Sequence, residues 1–222
     1  PLDLSATCNA DLITTGDRPA ADLLAQGGTI ATPSASIRSI FSPPPALTDD
    51  GVLPIPERQT PGCFQVRVGS GKDAILLTDP AGRQPAPVKF VLTTLQQRVW
   101  RRLAVAHASA WGDGELMLRL LYQDSTNQDA ALHPRDWRVL SRTLPPTENS
   151  VFAASASACP PNDDDQQVLC EFLDCDPNRR LSAISLSFSS CTPTVKDGTT
   201  PTKGKFAAAI LAISGLPAGK EP

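Results

Sequence analysis

The amino-acid sequence predicts an all-β protein: a jelly-roll β-sandwich of about eight strands with an extended Pro-rich N-terminal arm. Three observations predict it. Ile184, Leu186 and Phe188 alternate with Ser185, Ser187 and Ser189, which sends one apolar row to a core and one hydroxyl row outward. The run Lys205 to Ile213 is apolar on both faces, as a central strand covered on both sides requires. The chain carries 22 prolines in 222 residues and little helical periodicity, which favours short strands joined by rigid loops.

Two parts are expected, an arm over 1–60 and a sandwich over 61–222. The arm holds eight prolines, and its apolar residues come in short clusters such as Leu23-Leu24 and Ile40-Phe41. Asp17 to Ala25 could form one short helix, with Asp17 as N-cap and Gly27-Gly28 as the stop. The remainder is too fragmented to build its own core, so it is expected to lie extended on the sandwich or on a neighbour. Strands are then expected at Phe64–Val68, Asp73–Thr78 and Val88–Leu92, with a turn or short helix near Thr93 to Arg98. Val99 to Trp111 is a long strand with Leu103, Val105 and His107 on one face and Arg102, Ala104 and Ala106 on the other. Asp113-Gly114 is the clearest hairpin signal in the chain, since Asp-Gly suits a turn with positive φ, and Glu115–Tyr122 follows it. Further strands are expected at Asp136–Thr143, Val151–Cys159, Gln166–Leu173 and Leu181–Phe188. A long loop from Thr192 to Gly204 leads to the closing strand.

Composition excludes several functions. Net charge is −3. The arm sets three arginines against seven carboxylates, leaving −4, so it is not a basic nucleic-acid arm. No apolar run approaches the ~18 residues of a membrane span. The Pro-Leu-Asp-Leu start lacks the basic stretch and apolar core of a signal peptide. The six cysteines, Cys8, Cys63, Cys159, Cys170, Cys175 and Cys191, follow no zinc spacing and are read as mostly reduced, packed thiols.

Candidate chemistry is sparse. Gly69-Ser-Gly-Lys72 approaches a phosphate-binding loop, but Val66 stands where its first glycine is needed and Asp73 where Ser or Thr should follow. It reads as a hairpin turn. His107 and His133 carry no sign of a catalytic triad, which needs a histidine held by a carboxylate, and read as structural. Asp163-Asp-Asp165 reads as a solvated loop, with a divalent ion shared between subunits as the lesser reading. Arg98, Arg101 and Arg102 cluster with Trp100, and Arg135, Arg138 and Arg142 with Trp137. Alternation sends Arg101 and Arg102 to opposite faces, so they are candidates for scattered RNA or intersubunit contacts rather than for one patch. No catalytic or metal constellation emerges, and a non-enzymatic protein without a cofactor is expected.

Four stretches resemble coat proteins of the tymovirus–marafivirus type of plant virus. Gly62-Cys-Phe-Gln-Val-Arg-Val-Gly-Ser-Gly-Lys-Asp-Ala74 looks like the strand after that family's Pro-rich arm. Val99 to Ser109 resembles the strand after its short helix. Leu169 to Asp174 and Leu181 to Phe188 look like its late strand pair, and Lys205 to Pro217 like its closing strand. The resemblance spans residues 60–217. It implies a viral-type jelly roll that self-assembles into a small icosahedral shell around a positive-strand RNA genome, built in the host cytoplasm. Its partners would be copies of itself and the RNA, with polyamines, divalent cations and protonated side chains as counter-charge. The resemblance also implies an arm that lines the interior and switches between packings. Acidic clusters brought together by assembly would loosen the shell as pH rises. Two readings from other classes remain: a β-sandwich binding, adhesion or phage decoration module, and a jelly-roll enzyme with a metal-binding histidine cluster.

Overall fold

Among its described residues, the computed structural model contains only strands, turns and loops. The described residues are 1–14, 30–31, 50–55, 62–68, 71–78, 87–93, 96–110, 112–136, 138–140, 150–157, 164–193 and 206–217. No helix there is long and apolar enough to cross a membrane. The strands are β1 (Ile13–Thr14), β2 (Ile30–Ala31), β3 (Val52–Pro54), β4 (Cys63–Gln65), β5 (Ile75–Thr78), β6 (Val88–Val91) and β7 (Trp100–Ala110). They continue as β8 (Gly112–Tyr122), β9 (Asn127–Leu132), β10 (Arg138–Leu140), β11 (Ser150–Ser157), β12 (Asp164–Asp174), β13 (Leu181–Pro193) and β14 (Ala207–Pro217).

Two antiparallel sheets form a sandwich. The larger runs β10-β12-β7-β14-β5, with β11 on the far side of β12, and the smaller runs β6-β13-β8-β9. The inner layer comes from alternate residues of both. Ile75, Leu77, Leu103, Val105, Ile210 and Ile213 from the large sheet meet Leu116, Leu118, Leu120, Ile184 and Leu186 from the small one. Each such side chain contributes about 1.5–3 kcal/mol on full burial. The serine row of β13 faces away, as its alternation predicts: Ser185 and Ser187 are half-buried and Ser189 exposed.

A second apolar layer lies on the outer face of the large sheet. Ala104, Ala106, Ala108 and Ala110 of β7 and Ala207, Ala209 and Ala212 of β14 pave it. Leu12, Ile13, Leu53, Ile55, Phe64 and Val66 cover it. Small side chains on the sheet leave room for a covering chain to approach closely, which is why alanines dominate this face of two central strands. β14 is therefore buried on both sides, as its sequence predicts. A bulge at Leu211 lets Leu211 and Ala212 both reach the outer layer.

The described parts of the arm lie on the sandwich. Leu2 and Leu4 are buried in the inner layer, and the Leu2 N–H donates to Ile213 O at 2.8 Å. The helix expected over Asp17 to Ala25 and the loop over 194–204 fall outside the described residues.

Several expectations are corrected. Asp113-Gly114 is not a hairpin turn: both residues lie inside β8, opposite Thr192 and Cys191 of β13. β7 and β8 belong to different sheets, and the chain turns the corner at Gly112, whose φ is 137°. Gly114 is required for close approach, because a Cβ there would overlap the Phe206 ring. The bend at Gly71 (φ 84°) is no hairpin either, since β4 pairs with β3 and β5 with β14. Asp164 and Asp165 belong to β12, opposite Leu140 and Val139, rather than to a solvated loop. Near Thr93 to Arg98, where a turn or short helix was expected, the Gln96 and Gln97 N–H groups donate to Thr93 O. β9 was missed because Asn127-Gln-Asp-Ala-Ala-Leu132 is a polar edge strand whose pattern lacks an apolar row.

Candidate functional site

The arginines singled out from the sequence do not converge. Arg98 and Arg101 are exposed at the entry to β7, where their carbonyls accept from the N–H groups of Leu181 and Cys175. Arg102 points the other way. Its Nε donates to Asp174 Oδ1 at 2.7 Å, and its guanidinium lies 5.4 Å from the centre of the Phe172 ring. Arg135 lies at the opposite end of β7, where its carbonyl accepts from the Ser109 N–H. Arg138 begins β10, opposite Gln166; its side chain, Arg142 and Trp137 are outside the described residues. About seven strand residues, roughly 25 Å, separate the two groups.

The structure gathers a different set of residues, and both histidines of the chain are in it. β12 alternation puts Cys170 and Phe172 in the outer layer and turns Glu171 inward with Leu173. Leu169 lies opposite His107 and Glu171 opposite Val105, so His107 and Glu171 are diagonal neighbours on one face. His133 follows the end of β9 and crosses from the small sheet to the large one. Glu171 Oε1 is 2.7 Å from His133 Nδ1, and Oε2 accepts the His133 backbone N–H at 2.8 Å. His107 Nε2 lies 3.5 Å from Oε2, close enough for charge attraction but too long for a good hydrogen bond. The Glu171 and His107 side chains are 3% and 0% exposed; His133 is 39% exposed. Burial pushes the Glu171 carboxyl up, but His107, the His133 N–H and the His133 ring outweigh it and hold the carboxyl below its ordinary range.

The segment after His133 is pinned at several points. The Gly114 N–H donates to Pro134 O, the Gly112 N–H to Asp136 Oδ2 and the Asp136 N–H to Asp113 Oδ1. Glu171 thus joins the β9 edge of one sheet to the other sheet. With Nδ1 given to the carboxylate, His133 could exchange a proton through Nε2. Among the described residues, neither histidine is hydrogen-bonded to a Ser, Thr or Cys side chain, and no group of three metal-ligating side chains forms. The arrangement orients and locks. Sequence reasoning missed Glu171 because its partners lie 38 and 64 positions away.

A second buried carboxylate anchors the N-terminus. Asp73 is fully buried and accepts the Leu12 and Ile13 N–H groups at 2.7 and 3.0 Å. Asp11, 4% exposed, lies near enough for its carboxyl to disfavour the charge on Asp73. Asn9 caps the free edge of β5: its side chain donates to Leu76 O and accepts the Leu76 N–H. Ala10 and Ala74 bridge beside it. Burial above all, then the Asp11 carboxyl, pushes Asp73 up to about 7 against the two N–H groups that favour its charge. A cleft of about 340 Å³ opens beside this segment, lined by Leu2, Asp3, Cys8, Gln65 and Arg67 among others. The described cysteines are free thiols; Cys159 is outside the described residues.

No protein-family model and no curated protein matches the chain. Among solved structures, a carbohydrate-binding module specific for non-crystalline cellulose aligns with 76% of this chain and 88% of its own, at 8% identity and a TM-score of 0.36. A similarity of that degree carries nothing over to this chain.

Proposed function

We propose that this chain is a structural coat protein, a jelly-roll subunit that self-assembles into a closed icosahedral shell around positive-strand RNA. The observation that supports it is the nesting of the strand pairs. β5 pairs with β14, β6 with β13, β7 with β12 and β8 with β9. From β5 to β14 the chain thus pairs as one long hairpin, with β10 and β11 inserted. Successive pairs fall alternately in the large and the small sheet, so the hairpin is rolled up. Rolled double Greek keys serve as capsid, lectin and cupin domains, and a fold alone does not choose among them. The residue resemblance over 60–217 favours the capsid. Exposed Arg98 and Arg101 offer contacts to phosphate or to a neighbouring subunit, and weak contacts multiplied over a closed shell supply the stability.

The experiment is sedimentation of the native protein with electron microscopy of the pellet. Uniform round particles with an ultraviolet spectrum showing RNA are expected. A monomer or small oligomer at every pH and salt concentration would overturn the coat reading in favour of a binding module.

A further inference from the structure

We propose that the outer face of the small sheet binds a second copy of this chain, face to face across a two-fold axis that runs parallel to the strands. The inference stands on the strand register within one chain. It holds whether the contact closes a dimer or recurs in a shell.

The register lines up charge across all four strands. Lys89 of β6 lies opposite Ser185 of β13, Ser185 opposite Arg119 of β8, and Arg119 opposite Asp129 of β9. Lys89, Arg119 and Asp129 are exposed. Arg119 donates from Nε and Nη2 to the two Asp129 carboxylate oxygens at 2.7 and 2.8 Å. The row thus runs from a cation at the β6 edge to a carboxylate at the β9 edge. A two-fold axis between β13 and β8, along the strands, lays β6 over the second copy's β9 and β13 over its β8. Lys89 then meets Asp129 of the partner subunit, and Asp129 meets Lys89 of the partner subunit. One interface makes the pair twice, and sheets stacked face to face sit about 10 Å apart, within reach of both side chains.

Shape runs in the same sense. Ala183, Ser185 and Ser187 of β13 are small, while Leu121, Arg119 and Met117 opposite them on β8 are long. The same axis sets each long side chain of one copy over a small one of the other. Val91, 70% exposed, stands in the row of Ala183 and Leu121 and adds apolar area for the contact to cover. Four strands of this length and spacing outline a patch of roughly 400 Å² per copy. That is about half of the ~800 Å² per partner in a standard interface. The contact is therefore weak alone and accumulates at high protein concentration or beside other contacts.

The test is zero-length carbodiimide cross-linking of an equal mixture of isotope-labelled and unlabelled full chain, at low salt and high protein concentration, read by mass spectrometry. An amide between Lys89 and Asp129 that joins a labelled to an unlabelled chain is expected. Within one chain these residues are three strand spacings apart, about 14 Å, beyond the joint reach of their side chains. Charge reversal supplies the second arm. Lys89→Glu and Asp129→Lys each set like charges together twice, so each variant alone should associate about tenfold more weakly, or worse, in sedimentation equilibrium. Both positions are exposed, and loss of the Arg119 pair costs the fold little. Mixing the two variants rebuilds both opposite-charge contacts and should restore association. Absence of the mixed-label link in the wild type would overturn the proposal. So would association unmoved by either reversal, or no recovery on mixing. A wild-type chain that stays unlinked but is retained by immobilised inorganic polyphosphate, and released from it by Lys89→Glu, would overturn it in favour of a polyanion on this face.

Discussion

Glu171 is one buried carboxylate that serves both histidines. Asp73 is its counterpart at the N-terminus, but with the opposite sign. Glu171 is held below the ordinary carboxylate range, so its contribution is present above that range and is lost as pH falls through the folded value. Glu171→Gln should cost about 1.5–3 kcal/mol at neutral pH, since it removes the charged acceptor of the His133 N–H and ring from a buried corner. Denaturant titrations should show that difference shrinking as pH falls below the ordinary carboxylate range, where the wild-type carboxyl takes up its own proton. A difference that stays constant with pH would mean that shape, and not charge, holds the corner.

At the scale of the element, β14 and its neighbours depend on small residues. Gly114 admits the Phe206 ring, so Gly114→Ala should destabilise by about 1–3 kcal/mol. Phe206→Leu in the same chain should recover part of that loss, measured as a double-mutant cycle on denaturant midpoints. The alanine pavement makes a similar demand. Ala108→Leu should cost about 1–3 kcal/mol by overpacking and should weaken amide protection in the segment that covers the outer layer. If that segment keeps full protection, the pavement is not what seats it. The sequence made β7 legible through its long alternation and β14 through a run that is apolar on both faces. It misplaced the Asp113-Gly114 turn because a local preference for positive φ competes with sheet membership. Whether β8 turns back onto β7 or crosses to β13 depends on which inner face needs Leu116, Leu118 and Leu120.

For the whole molecule, the two carboxylate sites tilt stability in opposite directions. Asp73 withdraws support as pH rises toward about 7, and Glu171 withdraws it as pH falls through the carboxylate range. From these two groups alone, the denaturant midpoint of the full chain should therefore peak at about pH 4 to 5. The Asp73→Asn chain should instead show a plateau extending to neutral pH. In the proposed shell, carboxylates brought together at subunit contacts would add to the loss at high pH.

What the sequence by itself determined was the class of fold and the sidedness of its central strands. Period-two alternation is local, and burial follows from it directly: Ile184 and Leu186 go inward, Ser185 and Ser187 outward, and β14 is covered on both faces. The absence of a net positive arm was equally plain from counting charges. Only the tertiary structure decided which strands pair. It also decided that the arm's Leu12 and Ile13 lie on the alanine face, and that His107, Glu171 and His133 share one corner. The Glu171 contacts join residues 38 and 64 positions apart, and Leu12 and Ile13 reach alanines farther away still. A carboxylate's protonation depends on the solvent and partners around it, and no local pattern in the sequence encodes either.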